Sequence, residues 1–186
     1  MIRFFDMFAG IGGFRSGLEA IGGFECIGHC EIDKYAQKAY NAIYKPKGEY
    51  FCNDARQIDP NEMPEFDLIC AGFPCQSFSV AGKRLGFDDT RGTLFFEVAR
   101  ILATKRPAFF LLENVPGLLS HDGGRTLETI YSTLVEVGYG WNYIVGIWAV
   151  IASIGVLFSC VLPKCIYQQI KRFSAFFHIL VHLQHR

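Results

Sequence analysis

Short apolar runs and helix-period stretches alternate along the first 140 residues, in an order that predicts β-α-β units. Residues 2–8 form a largely apolar run of strand length that breaks at Ala9-Gly10-Ile11-Gly12-Gly13, and a helical pattern follows over 14–21. A second apolar stretch, 24–30, ends at Glu31, about twenty residues past the glycines. Residues 67–71 predict a fourth strand running into the loop 72–79, and residues 108–112 predict a fifth, fully buried strand that delivers Glu113. Between them, Asp88-Asp89-Thr90-Arg91-Gly92-Thr93-Leu94-Phe95 opens a helix that runs to about Thr104, its acids suiting an N-cap and first turn. The result is an α/β fold in which the loops at the C-terminal strand ends carry the chemistry.

Three pieces of that chemistry are visible. Strand, glycine turn and helix together let backbone approach a ligand while the helix N-terminus favours anionic groups, and Glu31 stands where a carboxylate holds ribose hydroxyls. An ordinary tight turn in an α/β protein accounts for the glycines alone equally well. The octapeptide Gly72-Phe73-Pro74-Cys75-Gln76-Ser77-Phe78-Ser79 holds a thiol at a working edge of the sheet. A free thiol has a pKa near ~8.5 and needs activation before it attacks a ring carbon, which an exposed turn beside backbone amides and a cation helps to supply. Pro74 fixes the approaching backbone, and Gln76 and Ser77 offer polar contacts; the competing fate of such a cysteine is apolar burial. Glu113 reaches the same edge as Cys75, either as a reactive carboxyl group or as a strand-end acid paired with a surface base.

The glycine turn with Phe8, the Pro74-Cys75 octapeptide and Glu113-Asn114-Val115 resemble, in that order, the DNA (cytosine-5)-methyltransferases. The resemblance implies a Rossmann-like, S-adenosylmethionine-dependent methyltransferase core. It assigns Phe8, Gly10, Ile11, Gly12 and Gly13 to the cofactor, Glu31 to its ribose, Ile32 to its adenine face and Asp54 to its adenine amino group. Ala55, Pro74 and Leu94 complete that cofactor set, with Thr93 beside Leu94. Cys75 takes the role of nucleophile toward carbon 6 of cytosine, and Glu113 that of donor to ring nitrogen 3, so that methyl transfer to carbon 5 and loss of its proton eliminate the thiol. Gln76, Ser77, Ser79, Asn114 and Val115 face the substrate, and residues 79–87, with Lys83 and Arg84, form a loop that closes on DNA behind a flipped base. The implied partner is double-stranded DNA, in a restriction-modification or phage setting; a cognate restriction endonuclease belongs to such a system, with no direct contact implied. A tRNA cytosine-5 methyltransferase relative is the neighbouring alternative, although Phe73 before Pro74-Cys75 looks more like the DNA enzymes.

The resemblance covers residues 1–140, read as a partial cofactor-binding and catalytic core truncated at its C-terminal strands. Residues 141–186 are a divergent hydrophobic tail: all eighteen acidic residues and fourteen of the eighteen basic ones precede it. The family continues with a further strand, a Gln-x-Arg-x-Arg motif, a target-recognition domain and a late Asn motif, and only residues 141–145 offer a piece of this, as the next strand. Three explanations compete for the tail: translation out of frame, a membrane helix over the uncharged residues 141–163, or a buried strand and helix of a domain cut short. An inactive fragment lacking the recognition domain is accordingly the alternative to the enzyme itself.

Composition adds limits. A chain of 186 residues with 51% hydrophobic content builds one substantial core but falls short of a catalytic plus a recognition domain. A net charge of zero leaves no overall basic footprint for nucleic acid. Seven cysteines, an odd number, argue against a disulfide scaffold, and Cys26/Cys30, Cys70/Cys75 and Cys160/Cys165 are spaced unlike a zinc site, so no metal is expected. Arg3 and Asp6 interrupt the apolar start, which removes a signal peptide and leaves the cytoplasm as the expected location, with membrane association of 141–163 as the alternative.

Overall fold

The computed structural model describes residues 1–74, 94–139, 145–151 and 154–160. Seven strands form one sheet: β1 (Ile2–Met7), β2 (Phe24–Cys30), β3 (Tyr50–Cys52), β4 (Leu68–Gly72), β5 (Phe109–Asn114), β6 (Val145–Ile151) and β7 (Ile154–Cys160), in the order β3-β2-β1-β4-β5-β7-β6. The first five are parallel. Among the described residues four α-helices accompany them: α1 (Gly13–Ile21), α2 (Lys34–Tyr44), α3 (Leu94–Lys105) and α4 (Arg125–Glu136).

Both faces of the central strands are covered, which is why they read as unbroken apolar runs rather than alternating ones. Phe4, Leu68 and Leu111 pack on one face with Leu18 of α1. Their neighbours Phe5, Ile69 and Phe110 pack on the other with Phe95, Val98, Ile101 and Leu102 of α3 and Ile130 and Leu134 of α4. The strands expected over 2–8, 24–30, 67–71 and 108–112 and the helix expected over 14–21 fall within one or two residues of the observed limits. β5 runs further than expected, so that Glu113 and Asn114 are its last two residues and not a loop beyond it.

Helix α2 was not legible in the pattern, because only Tyr40 of its eleven residues is buried. Its start is nonetheless well defined: the Asp33 carboxylate accepts from the N–H groups of Tyr35 and Ala36, capping the first turn. The tail adds two strands where one, over 141–145, was anticipated. β7 runs antiparallel to β5, and β6 antiparallel to β7. Among the described residues of 141–163 the backbone is therefore strand and not the membrane helix offered as one reading, and no described helix is long and apolar enough to cross a membrane.

The strand order positions the site. From β1 the chain proceeds outward through β2 and β3, then returns to place β4 on the other side of β1. Connections leave β1 and β4 in opposite directions, which opens a crevice at the C-terminal edge between them.

Candidate active site

Strand register brings the expected site segments to that one edge. Met7 pairs with Cys30 and Ala71, Cys30 with Cys52, and Gly72 with Glu113, so the residues that follow these positions emerge side by side. After β1 the backbone turns through left-handed conformations at Phe8 (φ 58°), Gly10 (φ 56°) and Gly12 (φ 89°). Glycine takes that region freely, whereas Phe8 is held there at a cost of roughly 1–3 kcal/mol, a strain typical of ligand-facing turns. Gly10 N–H donates to Glu31 Oε2 at 2.7 Å, and Asp33 N–H donates to Oε1 at 2.7 Å, so the carboxylate is aimed at the turn. Gly13 opens α1, and Gly12, its N-cap, supplies no side-chain cap to the helix.

These residues fit a nucleoside-bearing cofactor. Ile11 and Ile32 stand 58% and 65% exposed at the mouth, apolar surfaces that a flat base would cover. Glu31 retains acceptor capacity for hydroxyls, since each oxygen takes one backbone bond. Gln37 of α2 ties the Glu31 carbonyl to the Asn53 side chain, at 2.6 and 3.1 Å.

Asp54 lies next to this group, but its carboxylate is engaged. It caps a short 3-10 turn, Ala55–Gln57, and pairs with Arg56 at 2.7 Å, which holds its pKa below the usual carboxylate range. Ala55 is buried, and Arg100 of α3 donates to the Ala55 and Ile58 carbonyls at 3.3 and 2.8 Å. The helix that begins with half-buried Leu94 thereby anchors the Asp54 segment. Arg100 carried no distinguishing signal in the sequence beyond its place on a helix.

On the other side of the crevice, burial raises the pKa of Glu113 above its ordinary 4.5, which favours the protonated acid. Asn114 is buried; its Nδ2 donates to the Phe73 carbonyl at 2.7 Å while its Oδ1 accepts from Val115 N–H at 2.9 Å. The end of β5 is thus bonded to the residue before Pro74, which is exposed, as is Val115. Phe73 is buried, its ring 5.3 Å from that of Phe95. Cys75, Gln76, Ser77, Ser79, Lys83, Arg84 and Thr93 lie outside the described residues.

Beneath the glycine turn is a polar cluster that the sequence reading passed over. Asp6 and His29 are register partners on β1 and β2, both buried, and among the described residues the two His29 ring nitrogens have no hydrogen-bond partner. Burial raises the Asp6 pKa well above its ordinary value and, with Arg15 nearby, lowers that of His29 to about 4. Arg15 itself is held by Glu49 at 2.8 and 2.9 Å and by Glu19 at 2.8 Å. Among the described residues no group of acidic, histidine or cysteine side chains is arranged to hold a metal ion.

Sheet order and crevice define a Rossmann-like α/β core. Two solved structures share this fold: S. pombe Dnmt2 methyltransferase (TM-score 0.65, 19% identity, 86% of this chain and 50% of that one) and a putative DNA modification methyltransferase encoded within an E. coli prophage (TM-score 0.65, 23% identity, 90% and 48%). The chain belongs to the C-5 cytosine-specific DNA methylase family, whose model matches residues 2–150. It is 47% identical over 141 residues to the type II methyltransferase M.HhaI of Haemophilus parahaemolyticus, covering 76% of this chain and 42% of that protein. It is 52% identical over 139 residues to M.HpaII of Haemophilus parainfluenzae, covering 73% and 38%. The chain thus spans less than half the length of these relatives.

Proposed function

We propose that the chain carries the catalytic core of a DNA (cytosine-5)-methyltransferase that uses S-adenosylmethionine and acts on a cytosine flipped out of double-stranded DNA. The observation that carries this reading is the juxtaposition at one sheet edge of the Glu31-tethered glycine turn with a desolvated Glu113 whose register partner, Gly72, leads into Pro74-Cys75. Phe8, Gly10, Ile11, Gly12, Gly13, Glu31 and Ile32 would hold the cofactor, with Asp54, Ala55, Pro74 and Leu94 around them. When bound, S-adenosylmethionine supplies the methyl group.

Cytosine carbon 5 is a poor nucleophile until the ring is activated. The Cys75 thiolate adds to carbon 6 while Glu113 donates a proton to nitrogen 3, so electron density that would sit on the ring as charge is discharged onto carbon 5. Glu113 suits this task because burial keeps its proton in place at a pH where an exposed glutamate has lost it. After methylation the carbon 5 proton passes to water, and its electron pair forms the carbon 5–carbon 6 double bond and expels the Cys75 thiolate. The nitrogen 3 proton returns to Glu113, which restores the ring. Asn114 holds the loop's entry, Gln76, Ser77, Ser79 and Val115 contact the base, and Lys83 and Arg84 meet the backbone of the DNA. The setting is the bacterial cytoplasm, in a restriction-modification system with a cognate endonuclease or in a phage-infected cell, and the reading implies no direct contact with the endonuclease.

The 186-residue chain by itself is expected to bind cofactor weakly and to leave DNA unmethylated, because its charge balance is zero and extruding a base costs a few kcal/mol, roughly, that contacts must offset. The test therefore uses a chain extended with the C-terminal portion of M.HhaI. Labelled methyl groups should pass to DNA with the parent and not with Cys75→Ser, while both bind cofactor; transfer by the serine variant would remove Cys75 from its role.

A further inference from the structure

We propose that Tyr44 is a positioning residue for the cofactor turn, fixing the backbone at Gly12 on which S-adenosylmethionine is to rest. This rests on the cofactor reading above and names a residue that neither the motifs nor the strand pattern pointed to.

Tyr44 is the last residue of α2, and its hydroxyl donates to the Gly12 carbonyl at 2.7 Å. That carbonyl also accepts the first bond of α1, from Ser16 N–H at 2.9 Å. The turn and the helix it opens are therefore tied at one atom to a second helix. The ring matters as much as the hydroxyl: a Cβ on residue 12 would lie 2.3 Å from Tyr44 Cε2, so the space that φ 89° leaves beside Gly12 is filled by the tyrosine.

Tyr44 is itself immobilised. The Arg15 guanidinium lies 4.6 Å from its ring centroid, and the Tyr40 ring 4.7 Å. Arg15 is in turn held by two bonds to Glu49, one to Glu19 and one to the Tyr40 hydroxyl at 3.2 Å. A cation held over an aromatic face by a bidentate carboxylate is a rigid support, because little rotamer freedom remains to either group.

The other end of α2 is bonded to Glu31. Asp33 N–H donates to Glu31 Oε1, and Gln37 Nε2 to the Glu31 carbonyl. An eleven-residue helix, about 16 Å long, thus braces the carboxylate at one end and the glycine turn at the other. Moving Tyr44 changes the relation between two walls of the same ligand site.

The test measures S-adenosylmethionine affinity of the chain extended with the C-terminal portion of M.HhaI by calorimetry, alongside the unfolding midpoint without ligand, for the parent, Tyr44→Phe and Tyr44→Ala. Tyr44→Phe keeps the ring and removes one hydrogen bond, so a five- to tenfold weaker Kd is expected. Tyr44→Ala, read at a temperature where its circular dichroism matches the parent, should weaken binding further. Faster amide exchange at Gly12 in both variants is the second expected readout. A hydroxyl that served only stability would lower the midpoint and leave the Kd of folded molecules unchanged, and that result would overturn the proposal. Absence of binding by the parent would overturn the cofactor reading and this inference with it.

Discussion

Gly72 and Glu113 are register partners across β4 and β5, and a Cβ placed on Gly72 would lie 2.9 Å from Glu113 Oε2. The glycine therefore keeps open the space that the carboxyl tip occupies. Gly72→Ala should fold, since the obstructing atom is the far end of a flexible side chain, but Glu113 must swing away. In the extended chain, methyl transfer is expected to fall by at least about tenfold, on the scale of a misplaced general acid, with cofactor affinity retained. Unchanged turnover would show that the position of the carboxyl tip does not matter.

Asn114 is the joint between β5 and the segment that enters Pro74-Cys75. Replacing it with alanine removes its bonds to the Phe73 carbonyl and the Val115 N–H, at a cost of about 1–3 kcal/mol. Urea unfolding of the parent and Asn114→Ala chains checks this; a loss well below 1 kcal/mol, roughly, would mean that water replaces the amide.

His29 makes the fold acid-sensitive. Its pKa falls from an ordinary 6.5 to about 4, because burial and Arg15 disfavour the charged ring. Between those values the unfolded chain binds the proton more readily than the folded one, so the stability His29 contributes is complete above 6.5 and is lost as pH falls toward 4. Asp6 and Glu113, with raised values, act in the opposite sense: their contribution is lost as pH rises through their folded-state pKa. His29→Phe keeps a ring against Tyr40 and Phe51 and removes the titration. Its unfolding midpoint should decline less than the parent's between pH 6.5 and 4; parallel curves would contradict a buried, neutral His29.

The parallel strands were legible because strands buried on both faces appear as short apolar runs, and the glycine turn because left-handed backbone at Gly10 and Gly12 needs glycine. Glu31, singled out by its distance from the turn, accepts a hydrogen bond from Gly10 N–H. Helix α2 was not legible, since a helix that buries one tyrosine shows little apolar periodicity, and Tyr44 with it. The pairing of Asp54 with Arg56 is not legible, because side chains two residues apart meet only through the tight turn that Asp54 caps. In the tail, an apolar run has no periodicity to separate strand from helix, and the described part forms the β6-β7 hairpin.

The most direct measurement of the central claim is covalent trapping on DNA. The chain extended with the C-terminal portion of M.HhaI is incubated with S-adenosylmethionine and duplex DNA in which 5-fluorocytosine replaces cytosine. Fluorine at carbon 5 cannot leave as the proton does, so addition through Cys75 is arrested after methylation. A denaturation-resistant protein-DNA complex, whose crosslinked peptide contains Cys75 and which Cys75→Ser does not form, is the predicted result. Methylation of ordinary DNA by the same protein with no trapped complex, or a complex formed through another residue, would contradict the account.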